Sequence, residues 1–202
     1  MQLIVDVERD LRQFIEDAFL FERYYKNQAD EWHHLCVALD TLGDTSLGLL
    51  EFESGGFGSR HGERYLRLYG FLQALFLQQD SIQSLTRLFL HTALSGPDGS
   101  AWSELRELRN LAVGHPLANT RNKLGTTKRT FISRPTLSSD QITLMIWDSS
   151  AASTRFLHVD VADLYSRYKV EALRHLRAIQ QGAEQRWPVA QDQLHGDGER
   201  SR

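Results

Sequence analysis

The sequence predicts a mainly α fold: a helical bundle of about five helices with a small antiparallel β-meander inserted before the last helix. Apolar residues recur at helical spacing through five segments. One stretch, residues 127–160, switches to short β-branched and aromatic runs separated by polar breaks. The chain has 202 residues, enough for one domain with a sizeable core. No internal repeat and no linker divides it, so residues 1–187 are expected to form a single domain. The polar stretch 188–202 is expected to be a disordered tail.

The first segment, "VERDLRQFIEDAFLFERYYKNQ", sets Leu11, Phe14, Ile15, Ala18, Phe19 and Tyr25 at helical spacing. "ADEWHHLCVALDTLGDTSLGLLEF" predicts a second helix, weakened near Gly43 and Gly48. The glycine cluster "SGGFGSRHG" is a connection. It is not a phosphate-binding loop, which would follow a strand and carry a lysine before Ser or Thr. The third helix is apolar on most sides (Leu68, Phe71, Leu72, Leu75, Phe76, Ile82, Leu85, Phe89), as suits a central helix wrapped by others. Gln73, Gln78, Gln79 and Asp80 interrupt it. Tyr65 and Tyr69 stand one turn apart; they could line the same cleft as Arg109 or a helix–helix interface, and the interface is favoured because such a greasy helix must be covered on several sides. "SGPDGS" is a turn, and a fourth helix follows from Trp102. "TKRTFISRP", "QITLMIWD" and "TRFLHVD" then predict the strands. The last helix opens at Asp160 as N-cap, with Asp163 in its first turn. Its inner stripe is Leu164, Tyr165, Tyr168, Ala172, Leu173, Leu176 and Ile179, and Pro188 marks its end.

The bulk chemistry excludes several classes. The formal net charge is -3, which gives no general attraction to nucleic acid or anionic membrane, so RNA contact would need a local basic patch. A single cysteine, Cys36, allows no internal disulfide and suits a reducing cytosol. No signal peptide or membrane span is legible, and a cytoplasmic location is expected. His33 and Cys36 sit three apart, but no partner pair at ligand spacing exists elsewhere, so no metal and no cofactor is expected.

The stretch "RELRNLAVGHPLAN", residues 106–119, holds the candidate site. At about 100° per residue, Trp102, Leu105, Leu108, Ala112 and Val113 share one arc, and Arg109 falls inside it. A cation there must snorkel, pair with an acid such as one from the first helix, or face a cleft that holds an anion. Gly114 suits a helix cap and Pro116 favours extended backbone at His115. The helix should therefore end at Val113 or Gly114, with His115 in the turn beyond.

Arg109, Asn110, four intervening residues and His115 resemble the Arg-Asn…His signature of HEPN domains. Family members often carry a tyrosine two positions after the histidine, where this chain has Leu117. The resemblance implies a helical bundle and a metal-independent endoribonuclease of toxin or defence type. It implies a homodimer whose two motifs meet across one cleft, with RNA as substrate and a cognate antitoxin as a further partner. In that reading Arg109 contacts the scissile phosphate, His115 transfers protons and Asn110 helps position them. The chemistry is coherent without a metal: RNA supplies its own 2′-hydroxyl nucleophile, an imidazole moves protons near neutral pH, and a guanidinium stabilises the phosphorane.

Arg121, Lys123, Lys128, Arg129 and Arg134 follow closely in sequence and offer an RNA-backbone contact. No DNA partner is expected. The rival reading belongs to another class: a non-catalytic helical module that binds a partner protein or a nucleotide.

Overall fold

The computed structural model describes residues 1–94, 96–114, 116–117, 127–137 and 140–188. The described elements are five α-helices, a three-stranded antiparallel sheet and short π- and 3-10 turns. The helices are α1 (Gln2–Asp17), α2 (Ala29–Gly55), α3 (His61–Leu90), α4 (Ala101–Arg109) and α5 (Val161–Arg186). The strands β1 (Lys128–Ile132), β2 (Gln141–Asp148) and β3 (Ser153–Asp160) lie in that order, immediately before α5. The expected bundle and meander are therefore both present.

Two helices differ from the sequence reading. Gly43 and Gly48 do not interrupt α2, which runs unbroken for 27 residues. Contacts with α3 along that length offset the roughly 1 kcal/mol that each helical glycine costs. The first helix, conversely, stops early. Phe19 takes φ 50° and lies 49% exposed, and the chain re-enters through a π-turn at Phe21–Tyr25. The kink carries Tyr25 into the core beside Trp32 and Trp187, which a straight helix would not do.

Helix α3 is the centre, packed by α2, α4 and α5. Its buried polar residues are all engaged. Gln78 is fully buried; its Nε2 donates to Ser46 Oγ at 2.9 Å and its Oε1 accepts from Tyr168 OH at 2.9 Å. One side chain thus ties α2, α3 and α5 together. Burial pushes the Tyr168 phenol far above its ordinary pKa, so the hydroxyl remains a donor. Gln79 donates to the Trp102 carbonyl at 3.0 Å and fixes α4 against α3.

The start of α4 is held from two sides. Ser100 caps it by accepting from the Ser103 N–H at 3.2 Å. Glu171 of α5 accepts from the Ala101 and Trp102 N–H groups at 3.1 and 2.9 Å, satisfying two donors the helix itself cannot pair. Trp102 is buried between Tyr168 and His175 of α5. The Asp160 cap of α5 forms as expected, accepting from the Asp163 N–H at 2.9 Å.

The sheet turns one face inward. Ile132, Leu144 and Leu157 share a row, as do Thr130, Ile146 and Arg155. Phe131, Met145 and Phe156 form the opposite row, with Phe131 and Phe156 54% and 59% exposed. No helix among the described residues is long and apolar enough to cross a membrane.

Two stability outcomes follow. Tyr168→Phe strands the Gln78 carbonyl in the core and should cost about 1–3 kcal/mol in urea denaturation; an unchanged midpoint would remove Gln78 as the tie between helices. Burial against Trp102, then the charge of Arg174, lowers the His175 pKa, with Glu171 opposing. The folded state therefore resists protonation at this position. Its contribution is fully present above the unfolded value of about 6.5 and declines as pH falls through the lower folded value. The acid-side loss should be smaller in His175→Asn, measured as ΔG from pH 7.5 to 5.

Candidate functional site

The helix that carries the site does not end as an α-helix. After Arg109, residues Asn110–Gly114 wind as a π-turn. The wider turn shifts each following side chain by about one residue's rotation. The consequence is visible in burial: Leu111 and Ala112 are in the core, while Val113, expected on the inner arc, is only partly buried. Ala112 and Pro116 then form one end of an open cleft.

Arg109 itself lies partly buried over the face of Phe76, its guanidinium carbon 4.1 Å from the ring centroid. Its Nε and Nη2 donate to Gln73 Oε1 at 3.2 and 3.0 Å, and its Nη1 donates to Asn110 Oδ1 at 3.1 Å. All these acceptors are neutral amide oxygens. No carboxylate pairs with Arg109 among the described residues. The alternative that an acid from the first helix neutralises it is not realised, because the buried carboxylate of α1, Glu8, is engaged by Arg12.

The same ring carries a second cation. Arg106 places its guanidinium carbon 4.4 Å from the Phe76 centroid, but it is neutralised by Asp80 at 2.8 Å and also donates to Gln79 at 3.3 Å. Two arginines thus pack on one aromatic ring with one carboxylate among the described residues, which leaves a net positive charge at Arg109. The polar interruptions of α3 acquire a purpose: Gln73 holds Arg109, while Gln79 and Asp80 hold Arg106.

Gly114 completes the arrangement. A Cβ built on it would lie 2.6 Å from Arg109 Nη1, inside van der Waals contact. The guanidinium occupies the space that glycine leaves open.

The cleft beside this turn has a volume of about 1190 Å³. One wall is the start of α3, with His61, Tyr65 and Tyr69; the other is β1 and the turn after it, from Thr130 to Pro135. Two hydrogen bonds set its width. The Thr130 N–H donates to the Pro116 carbonyl at 2.7 Å, and Arg64 of α3 donates to the Leu137 carbonyl at 3.1 Å. Tyr65 and Tyr69 therefore line an open cleft and not the helix–helix interface that the sequence favoured. The His61–Tyr65–Tyr69–Gln73 spacing of four puts these side chains on one stripe of α3, leading from the cleft to the Arg109 cradle. That periodic stripe was the available signal; the apolar pattern around it masked it.

The structure brings Arg109 and Asn110 into direct contact. His115, Arg121, Lys123 and the tail beyond Pro188 lie outside the described residues. Lys128 and Arg129 are neighbours on a strand and so point to opposite faces of the sheet. The expected basic patch is split there. Arg134 lines the cleft mouth instead. Gln73, Phe76 and Arg106 are site residues that the sequence reading did not assign.

Comparison with protein-family models, with curated proteins and with solved structures finds no match to this chain.

The cradle makes its own prediction. In a double-mutant cycle, Gln73→Ala and Arg109→Ala should couple by roughly 1–2 kcal/mol, read from denaturation midpoints. Gly114→Ala should displace the Arg109 Nε–H resonance in an arginine-selective NMR spectrum. Additive mutants and an unmoved resonance would show that the cradle does not hold the guanidinium.

Proposed function

We propose that this protein is a HEPN-like, metal-independent endoribonuclease in which Arg109 binds the scissile phosphate and His115 moves the proton. The observation that carries the reading is the state of Arg109: an oriented guanidinium, held by neutral amides, with no carboxylate answering its charge among the described residues. A purely structural arginine at such a position would be expected to pair with an acid, as Arg106 does with Asp80. An arginine kept uncompensated is suited to receive an anion.

The proposed chemistry runs as an internal transesterification. The RNA 2′-oxygen attacks the adjacent phosphorus, the bond to the 5′-oxygen breaks, and a 2′,3′-cyclic phosphate and a 5′-hydroxyl result. One imidazole accepts the 2′-hydroxyl proton, and another supplies a proton to the departing 5′-oxygen. Two copies of His115 meet this requirement if two protomers face each other, which makes a homodimer part of the proposal. Arg109 stabilises the charge that grows on the phosphorane oxygens. Asn110 contributes by keeping Nη1 of Arg109 in place, with its carbonyl at 3.1 Å. A toxin or defence role, with a cognate antitoxin as partner, belongs to the same reading.

RNA cleavage in the presence of a chelator tests it. Wild-type protein should cut, whereas Arg109→Ala and His115→Ala should each lose at least about 100-fold. Equal residual activity in all three would contradict the assignment. Sedimentation should show a dimer at micromolar concentration, and a clean monomer would remove the two-histidine cleft.

A further inference from the structure

The cleft is larger than a phosphate requires, and its walls carry chemistry that a phosphate does not use. On the α3 side, Tyr65 and Tyr69 stand with ring centroids 6.1 Å apart, and Tyr69 is 40% exposed. On the strand side Phe131 is 54% exposed. Thr130, on the other face of β1 from Phe131, also lines the cleft; it is only 6% exposed, and its hydroxyl has no hydrogen-bond partner among the described residues. Buried hydroxyls rarely go unpaired in a finished site.

The free edge of β1 supplies further backbone groups that face away from β2. The Thr130 N–H points away from β2, toward Pro116, while Ser133 bonds inward to Thr143. Alternation along an antiparallel ladder then points the N–H and C=O of Ile132 outward as well, and Ile132 lines the cleft. Thr130 thus presents a hydroxyl that can give or accept, and Ile132 presents an amide donor and a carbonyl acceptor. Arg134, exposed at the mouth, adds a cation.

We propose that this cleft is a nucleobase subsite that takes a purine of single-stranded RNA, a step that rests on the reading of Arg109 as the phosphate ligand. Exposed aromatic rings offer stacking surfaces for a flat heterocycle. The edge of a purine carries alternating donors and acceptors, which matches the mixed set at Thr130 and Ile132; an aliphatic ligand would leave all three unmet. Tyr69 and Gln73 are one turn of α3 apart, about 6 Å, a gap that the ribose of one nucleotide bridges between base and phosphate. An extended peptide adding to β1 fits less well. Strand addition uses the outward N–H groups in alternation, and the central one, on Thr130, is already bonded to Pro116 at 2.7 Å.

The test titrates adenosine 5′-monophosphate, guanosine 5′-monophosphate and ribose 5-phosphate into the full chain, followed by NMR or calorimetry. One of the purine nucleotides should bind at least tenfold more tightly than ribose 5-phosphate. Tyr69→Ala and Phe131→Ala replace exposed side chains; each should weaken nucleotide binding about tenfold and leave ribose 5-phosphate unaffected. Thr130→Val, which keeps the shape and removes the hydroxyl, should weaken it several-fold. Equal affinity for nucleotide and sugar phosphate, or no effect from either aromatic substitution, would overturn the proposal. So would an extended peptide that binds across β1 where no purine does. Binding is read without cleavage, so the two claims separate. Purine binding in a protein that cuts no RNA supports the subsite and sinks the nuclease reading. Cleavage by a protein whose cleft ignores purines sinks the subsite alone.

Discussion

Two guanidiniums rest on the ring of Phe76, and among the described residues one carboxylate answers them. Each contact is favourable through the ring's negative face, but like charges so close repel unless one is neutralised. Asp80 neutralises Arg106. Among the described residues Arg109 is left with amide oxygens that orient it without cancelling its charge. Everything distinctive about this corner depends on that inequality: an aromatic platform, a spent cation beside it and an unspent one at the start of the π-turn.

The rest of the bundle keeps this arrangement in register. Glu171 and Ser100 fix where α4 begins, so Arg106 and Arg109 arrive opposite Gln73, Phe76 and Asp80 on α3. Gln79 pins the Trp102 carbonyl, and Gln78 locks α3 to its other neighbours. The π-turn and Gly114 then make room for the guanidinium and turn Ala112 toward the cleft. The meander closes the far wall, since β1 is tied to Pro116 at one point and the following turn is tied to Arg64 at another. The sheet thus becomes one side of the opening.

Much of the architecture was legible from local pattern. Period-3.6 and period-2 apolar spacing identified the helices and strands, and Asp160 announced the last helix. Arg109 stood out because its angle on a helical wheel conflicts with its charge. What was not legible depended on pairing between distant segments. Nothing local says that Gln73 will face Arg109, or that Asp80 will choose Arg106. The wheel also assumed uniform turns, so the π-turn's shift at Leu111–Val113 was hidden. The tyrosines of α3 were assigned to an interface because a greasy helix must be covered on several sides; the β1 edge stands off from that side instead and leaves a cleft.

The central claim is that Arg109 is kept uncompensated in order to bind phosphate. Its most direct test is the salt dependence of RNA binding. A single-stranded RNA carrying 2′-O-methyl groups cannot be cut by this chemistry, so its affinity can be measured at a series of salt concentrations for wild type and Arg109→Gln. The account predicts at least tenfold weaker binding for the variant and a log–log salt slope shallower by about 0.7, the value for one lost phosphate contact on a single strand. Unchanged affinity and an unchanged slope would contradict it and return Arg109 to a packing role on Phe76.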